Sequence, residues 1–215
     1  MKKLYILPIL GLLFIACESK QKDTVEENVV EDVEEVVETK TDTETGAKAF
    51  WNTLMSHCGK AFEGEVIKAP ENDDFRGKKL VMHLLSCSDN EIFIPFNVGD
   101  NRSRTWVLRY ENGTIELKHD HRQEDGSDDE VTMYGGTTTN SGLPNVAVFP
   151  ADEQTREIIP AAATNVWWIT VDDSTYTYNL KRLGTDREFS ISFDLTKEIQ
   201  TPEPSWGWEE YSANL

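Results

Sequence analysis

The stretch Arg104–Arg122, RTWVLRYENGTIELKHDHR, decides the fold. Asn112-Gly113 separates two strand-like runs, and this dipeptide is the strongest short signal for a two-residue hairpin turn. On a strand, His119 and His121 point to one face, and Lys118, Asp120 and Arg122 to the other. The chain continues through an acidic loop to a glycine pair, Gly135-Gly136.

Outward from this hairpin, similar runs recur with turn residues between them. Strands are predicted at Ala61–Lys68, Lys79–Cys87, Glu91–Val98, Arg104–Tyr110 and Thr114–Arg122. Others follow at Glu130–Thr137, Asn145–Phe149, Asn165–Val171, Thr175–Leu183 and Glu188–Asp194. In Phe189-Ser-Ile-Ser-Phe193 the alternation is clean, so one face is buried and the other wet. Trp167-Trp168 places one indole on each face, and at least one belongs to the core. Ahead of the strands, Ala47–Ser56 reads as a short helix, with Phe50 and Leu54 on one face and Gly59 placed to end it. About ten antiparallel strands predict a mainly β domain, a single barrel or sandwich. The helix, followed by Gly64-Glu65-Val66 entering a meander, resembles the layout of the calycin barrels, the lipocalin and nitrobindin-like group.

The start of the chain reads differently. Met1–Ala16 has a basic beginning (Lys2, Lys3) and an apolar run from Leu4 to Ile15, too short to span a bilayer but suited to a secretory leader. Phe14-Ile15-Ala16-Cys17 resembles the lipobox of bacterial lipoproteins, which implies cleavage before Cys17 and acylation of that cysteine. Several acyl chains anchor firmly where one would not. Cys17–Thr45 then forms an acidic linker, with eleven acids against three lysines from Glu18 onward and no aromatic residue. Such a segment buries too little apolar surface to offset the entropy of ordering, and reads as a solvated spacer. Gln21-Lys22-Asp23 resembles acidic signals of surface-exposed Bacteroidetes lipoproteins. The resulting plan is a signal peptide over Met1–Ala16, the anchor and linker over Cys17–Thr45, a β domain over Gly46–Gln200 and an irregular tail, Thr201–Leu215. The cell envelope is the expected location, with the outer membrane preferred.

The charge balance, 39 Asp+Glu against 21 Lys+Arg, repels phosphate backbones, so nucleic acid is excluded as a partner. Cys58 and Cys87, the two cysteines of an exported domain, predict a disulfide closing a loop of roughly thirty residues and adding ~3 kcal/mol.

Three functional readings follow. An arginine among carboxylates and aromatics inside a barrel can fix a polar head group of a small ligand, which singles out Arg104, Trp106, His119, Asp120, His121, Arg122 and Tyr134. In that reading Asp120 and Arg122 form one partner set, with Arg104, Trp106, Thr132 and Tyr134 as neighbours. The second reading is a metal-dependent enzyme. His119 and His121 supply two imidazoles for a divalent metal, with Asp125, Asp128 or His83 as third ligand. Gly113-x5-His119-x-His121-x3-Asp125 resembles the first cupin motif, with aspartate in place of the usual glutamate and no second motif. The third is a structural envelope protein, whose cue would be an exposed apolar patch. No Gly-x-Ser-x-Gly elbow or phosphate-cradling glycine loop supports catalysis. No cofactor is expected in the binding reading; its partners are the membrane, through the lipid, and a small molecule or envelope protein. The segments Ile94–Trp106, Leu117–Gly136 and Pro160–Val166 together resemble a family of uncharacterised bacterial secreted proteins and lipoproteins. That resemblance implies one exported β domain and carries over no activity.

Overall fold

In the computed structural model, residues 44–212 are described. The leader, Cys17 and all but the last two residues of the linker therefore lie outside the described residues. The described chain begins with helix α1 (Gly46–Met55), whose Thr45 side chain caps its first turn by accepting from the Lys48 N–H. Its apolar face, Ala47, Phe50, Trp51 and Leu54, is buried. Eleven strands follow: β1 (Ala61–Lys68), β2 (Leu80–His83), β3 (Ser86–Cys87), β4 (Glu91–Val98), β5 (Asn101–Glu111), β6 (Thr114–His121), β7 (Tyr134–Thr137), β8 (Val146–Pro150), β9 (Asn165–Val171), β10 (Thr175–Arg182) and β11 (Glu188–Ile199). A short helix, α2 (Glu153–Ile158), and a 3₁₀ turn at Pro160–Ala162 separate β8 from β9, and α3 (Glu209–Ser212) ends the described chain.

All pairings are antiparallel, in the order β7-β6-β5-β4-β2-β1-β11-β10-β9-β8, with β3 also on β4. The sheet curls into a nearly closed barrel, as the strand count predicts. Asn112 and Gly113 both have positive φ (51° and 78°), and they pair Glu111 with Thr114 in the tight turn expected of them.

The two edge strands meet at a seam that the glycine pair makes possible. A methyl group on Gly135 would overlap the Leu117 carbonyl, and one on Gly136 would overlap that of Pro150. Thr155 of α2 substitutes for a strand there: its hydroxyl donates to the Gly135 carbonyl (2.7 Å) and accepts from the Gly135 N–H (2.6 Å). The Asp152 N–H donates to that same carbonyl at 3.0 Å. The β7 edge is thereby capped at Gly135. Outside the barrel, buried Lys118 reaches Asp152 (2.6 Å) and Gln154 (2.7 Å), fastening α2 to β6.

The interior is one apolar cluster drawn from every wall, including Phe62, Phe96, Leu108, Leu117, Phe149, Ile169 and Phe193, with the buried face of α1 in the same cluster. α1 closes one end: the Trp51 indole N–H donates to the Ser88 carbonyl at 3.2 Å, and its ring leans on Tyr110 at the end of β5. The Cys58–Cys87 disulfide, with Cα atoms 6.0 Å apart, ties the chain leaving this helix to β3.

Five features differ from the sequence reading. The run Lys79–Cys87 is two strands, broken where Leu84 pairs with Lys60 and Gly59 while Leu85 turns to Phe93 of β4. The strand expected over Glu130–Thr137 begins only at Tyr134. β11 runs on to Ile199, and α2 was not anticipated. The tail is irregular from Thr201 to Trp208 but packs firmly: Ser205 and Trp208 are buried, and the Ser205 hydroxyl donates to Asn97 at 3.0 Å.

Candidate ligand-binding cleft

The β5–β6 register sets Arg104 opposite His121 and Trp106 opposite His119. Cross-strand partners share a face. Because Leu108 and Leu117, on that same face, are wholly buried, the whole set points into the barrel. β7 adds Tyr134 opposite His119. Met133 directly before it adopts a left-handed conformation (φ 57°) and returns its N–H to the His119 carbonyl at 2.7 Å, which turns the chain into the strand. Such a conformation costs a non-glycine residue ~1 kcal/mol or more.

These side chains form a linked polar group in an aromatic wall. His119 Nδ1 lies 3.0 Å from the Tyr134 carbonyl, which can only accept, so this nitrogen carries the proton. Nε2 then accepts from the Tyr178 hydroxyl at 2.7 Å. The Tyr134 hydroxyl contacts His121 Nε2 at 3.1 Å, and its ring stacks on His119 at 4.7 Å. Burial pushes the His119 pKa down to about 3. Burial, reinforced by the Arg104 guanidinium, takes His121 to about 4. Burial pushes Tyr134 up to about 12 and Tyr178 well above its ordinary value. At neutral pH all four are therefore uncharged hydrogen-bonding groups.

A cleft of about 490 Å³ opens over this wall at the barrel end opposite α1. Arg104, His121, Tyr134, Asn165, Trp167, Tyr178, Leu180, Arg182, Arg187 and Phe189 line it, with the Pro70–Phe75 loop and Ile159–Ala162 as its rim. A narrow extension of about 70 Å³ continues inward between Phe75, Phe96, Trp106 and Tyr178. Arg104 lies over the Phe75 ring at 5.2 Å and donates to Asn101 at 2.8 Å; Arg182 donates to Asn165 at 2.9 Å. Burial lowers the pKa of both guanidiniums, and Arg187 lowers that of Arg182 further. Both remain fully protonated.

Of the residues singled out in the sequence, Arg104, Trp106, His119, His121 and Tyr134 converge here. Asp120 and Arg122 do not, and the expected partner set across Arg104, Trp106 and Tyr134 is corrected by the strand pleat, which puts them outside. There Asp120, 2% exposed, accepts from Arg122 Nε (2.9 Å), the Thr132 hydroxyl (3.2 Å) and the Trp208 indole N–H (3.1 Å). Arg122 continues to Asp128 at 3.2 Å. This cluster is a latch for the tail.

The metal set is also dispersed. Both His119 nitrogens are engaged by tyrosines, and Asp125 is an exposed turn residue accepting from the Ser127 N–H (3.0 Å) and hydroxyl (2.6 Å). His83 is buried on β2, its pKa lowered by burial. Among the described residues no group of three His, Cys, Asp or Glu side chains could hold a metal ion. Sequence reasoning missed Trp167 as a cleft residue, and Tyr178, Arg182 and Arg187 altogether, because only closure of the sheet, through the long-range β1–β11 pairing and the β7–β8 seam, brings the β9–β10–β11 meander to face β5–β7. No protein-family model, curated protein or solved structure matches the chain.

Proposed function

We propose that the chain is a lipid-anchored envelope protein whose β domain binds a small ligand, without catalysis, at the open barrel end. The cleft carries this reading. Its volume falls within the ~300–1,000 Å³ typical of small-molecule sites, and it combines aromatic walls with a few convergent polar groups. The tyrosine and histidine side chains are held by one another, so the polar wall is set before a ligand arrives, which lowers the ordering cost of binding. Among the described residues no serine, threonine, cysteine or lysine lines the cleft, and burial keeps its two tyrosine hydroxyls neutral, which favours binding over turnover.

A thermal-shift screen of small metabolites against the full chain in a neutral maltoside detergent tests the binding claim. Hits are expected, and they should be lost in Asn72→Trp, which adds bulk at the exposed rim. Hits that survive that substitution would place the ligand elsewhere, and an empty screen would defeat the reading. The anchor has its own test: the expressed protein should partition into a detergent phase and move to the aqueous phase on Cys17→Ser. Aqueous partitioning of the unmutated protein would remove the anchor.

A further inference from the structure

We infer that the cleft is built for a small oxyanion, a carboxylate or phosphate, carried on a flat apolar body; this rests on the ligand-binding reading above. The chain as a whole is acidic, with a formal net charge of −18, yet three arginines meet at this one opening. Elsewhere four of the five arginines are spent on carboxylates: Arg102 on Glu203, Arg109 on Glu91 and Glu116, Arg122 on Asp120 and Asp128, and Arg156 on Glu153, while Arg76 donates to the Pro70 and Ala69 carbonyls. Among the described residues Arg104, Arg182 and Arg187 make no ion pair; Arg104 and Arg182 are held instead by the neutral side-chain amides Asn101 and Asn165.

Arg182 and Arg187 face each other across the β10–β11 hairpin, where the Arg182 N–H donates to the Arg187 carbonyl at 3.0 Å. Two guanidiniums crowded together, and a third half-buried nearby, repel one another until an anion enters. Two aspartates also lie on the rim. The Asp73 carboxylate already accepts from the Phe75 N–H at 3.0 Å, and Asp129, behind the lining, and Asp74 act on Arg104 only at a distance. The neutral hydroxyl of Tyr134 adds an uncharged polar group beside the anion. A planar guanidinium matches a carboxylate or phosphate with two parallel N–H donors, and desolvation strengthens the contact. Below the arginines the walls are Phe75, Trp167, Leu180 and Phe189, which suit a flat hydrocarbon or aromatic body.

The test is calorimetric titration of the full chain, in the same neutral detergent, with four probes that share one ring system: 1-naphthylacetate, 1-naphthyl phosphate, 1-naphthylacetamide and 1-naphthylmethylamine. At least one of the two anions should bind at least about tenfold more tightly than the amide or the amine. Arg187→Gln, an exposed substitution that leaves the core intact, should weaken that anion by about tenfold, the value of one charge-assisted hydrogen bond. Arg104→Gln should do the same. A preference between the two anions tells a carboxylic acid from a phosphomonoester. Should the amide or amine bind as well as the anions, with Asn72→Trp abolishing all of them, the oxyanion inference falls while the ligand cleft stands. Acetate or inorganic phosphate binding as tightly as its naphthyl counterpart would overturn the apolar body. If no probe binds and the metabolite screen is also empty, both readings fail.

Discussion

The two ends of the barrel are built from the same strands, yet they hold opposite chemistry. At one end Phe50, Trp51 and Leu54 of α1 fill the space between Tyr110 and the neighbouring walls, and a disulfide ties down the chain that leaves the helix. At the other, the interior positions one or two pleats further along hold Arg104, His119, His121, Tyr134 and Tyr178 around an open cleft. A barrel this small needs no second opening to fold, and buried polar groups add little to stability unless fully paired. The difference teaches that stability is concentrated at the helix-plugged end, and that the arginine-bearing end retains groups whose use lies in what they meet.

The largest effect should come from breaking the plug. Trp51 is wholly buried, and its indole N–H is bonded to Ser88. Trp51→Ala should cost about 3–5 kcal/mol through lost burial and the cavity left behind. Urea denaturation measures it; a loss under ~1 kcal/mol would mean that the plugged end is not where the stability resides. Second comes the staple. Cys58→Ser with Cys87→Ser should cost about 3 kcal/mol, mainly by freeing the unfolded chain. The same change in midpoint should follow when the unmutated protein is reduced, and a midpoint that ignores reduction would remove the disulfide's role.

The plugged end was largely legible in the sequence and the open end was not, for a physical reason. Phe50 and Leu54 at helical spacing and Asn112-Gly113 between two strands are local patterns, and each encodes its own geometry. β1, β4 and β9 accordingly begin and end where the residues suggest. His119 and His121 also share a face for a purely local reason. Whether that face is the wet one depends on Leu108 and Leu117 beside it and on closure of the sheet by Gly135, Gly136 and Thr155. Arg182 and Arg187 flank a glycine turn that reads as ordinary solvated hairpin, and only pairing with distant strands gives it a wall of the cleft. Trp208 shows the same limit: nothing near it in the chain announces that Asp120 is its partner.

Acid should expose the contrast more gently. His119 and His121 have folded-state pKa values of about 3 and about 4, below the ordinary 6.5. The unfolded chain therefore binds more protons in this window, and stability falls as pH drops below 6.5. Each imidazole contributes at most about 1.4 kcal/mol per pH unit. His57 and His83, near the disulfide, are lowered in the same direction. Between pH 6.5 and 5, where the carboxylates stay ionised, His121→Asn should make the fall shallower. An unchanged slope would show that the open end does not hold its histidine neutral.

The smallest effect on stability is the sharpest test of the comparison. Arg187 is exposed at the cleft mouth, its guanidinium near Arg182 and without an ion pair among the described residues. Removing it relieves repulsion between like charges and disrupts no packing, so Arg187→Gln should leave stability within about 0.5 kcal/mol of the parent, shifted upward if at all. Groups kept for binding commonly carry this trade, in which their loss stabilises the fold and weakens the function. Urea midpoints for Arg187→Gln and Trp51→Ala, measured together, place the two ends on one scale. If Arg187→Gln destabilises the domain by as much as the loss of the disulfide does, the arginine belongs to the scaffold. The open end would then be a second structural end rather than a site.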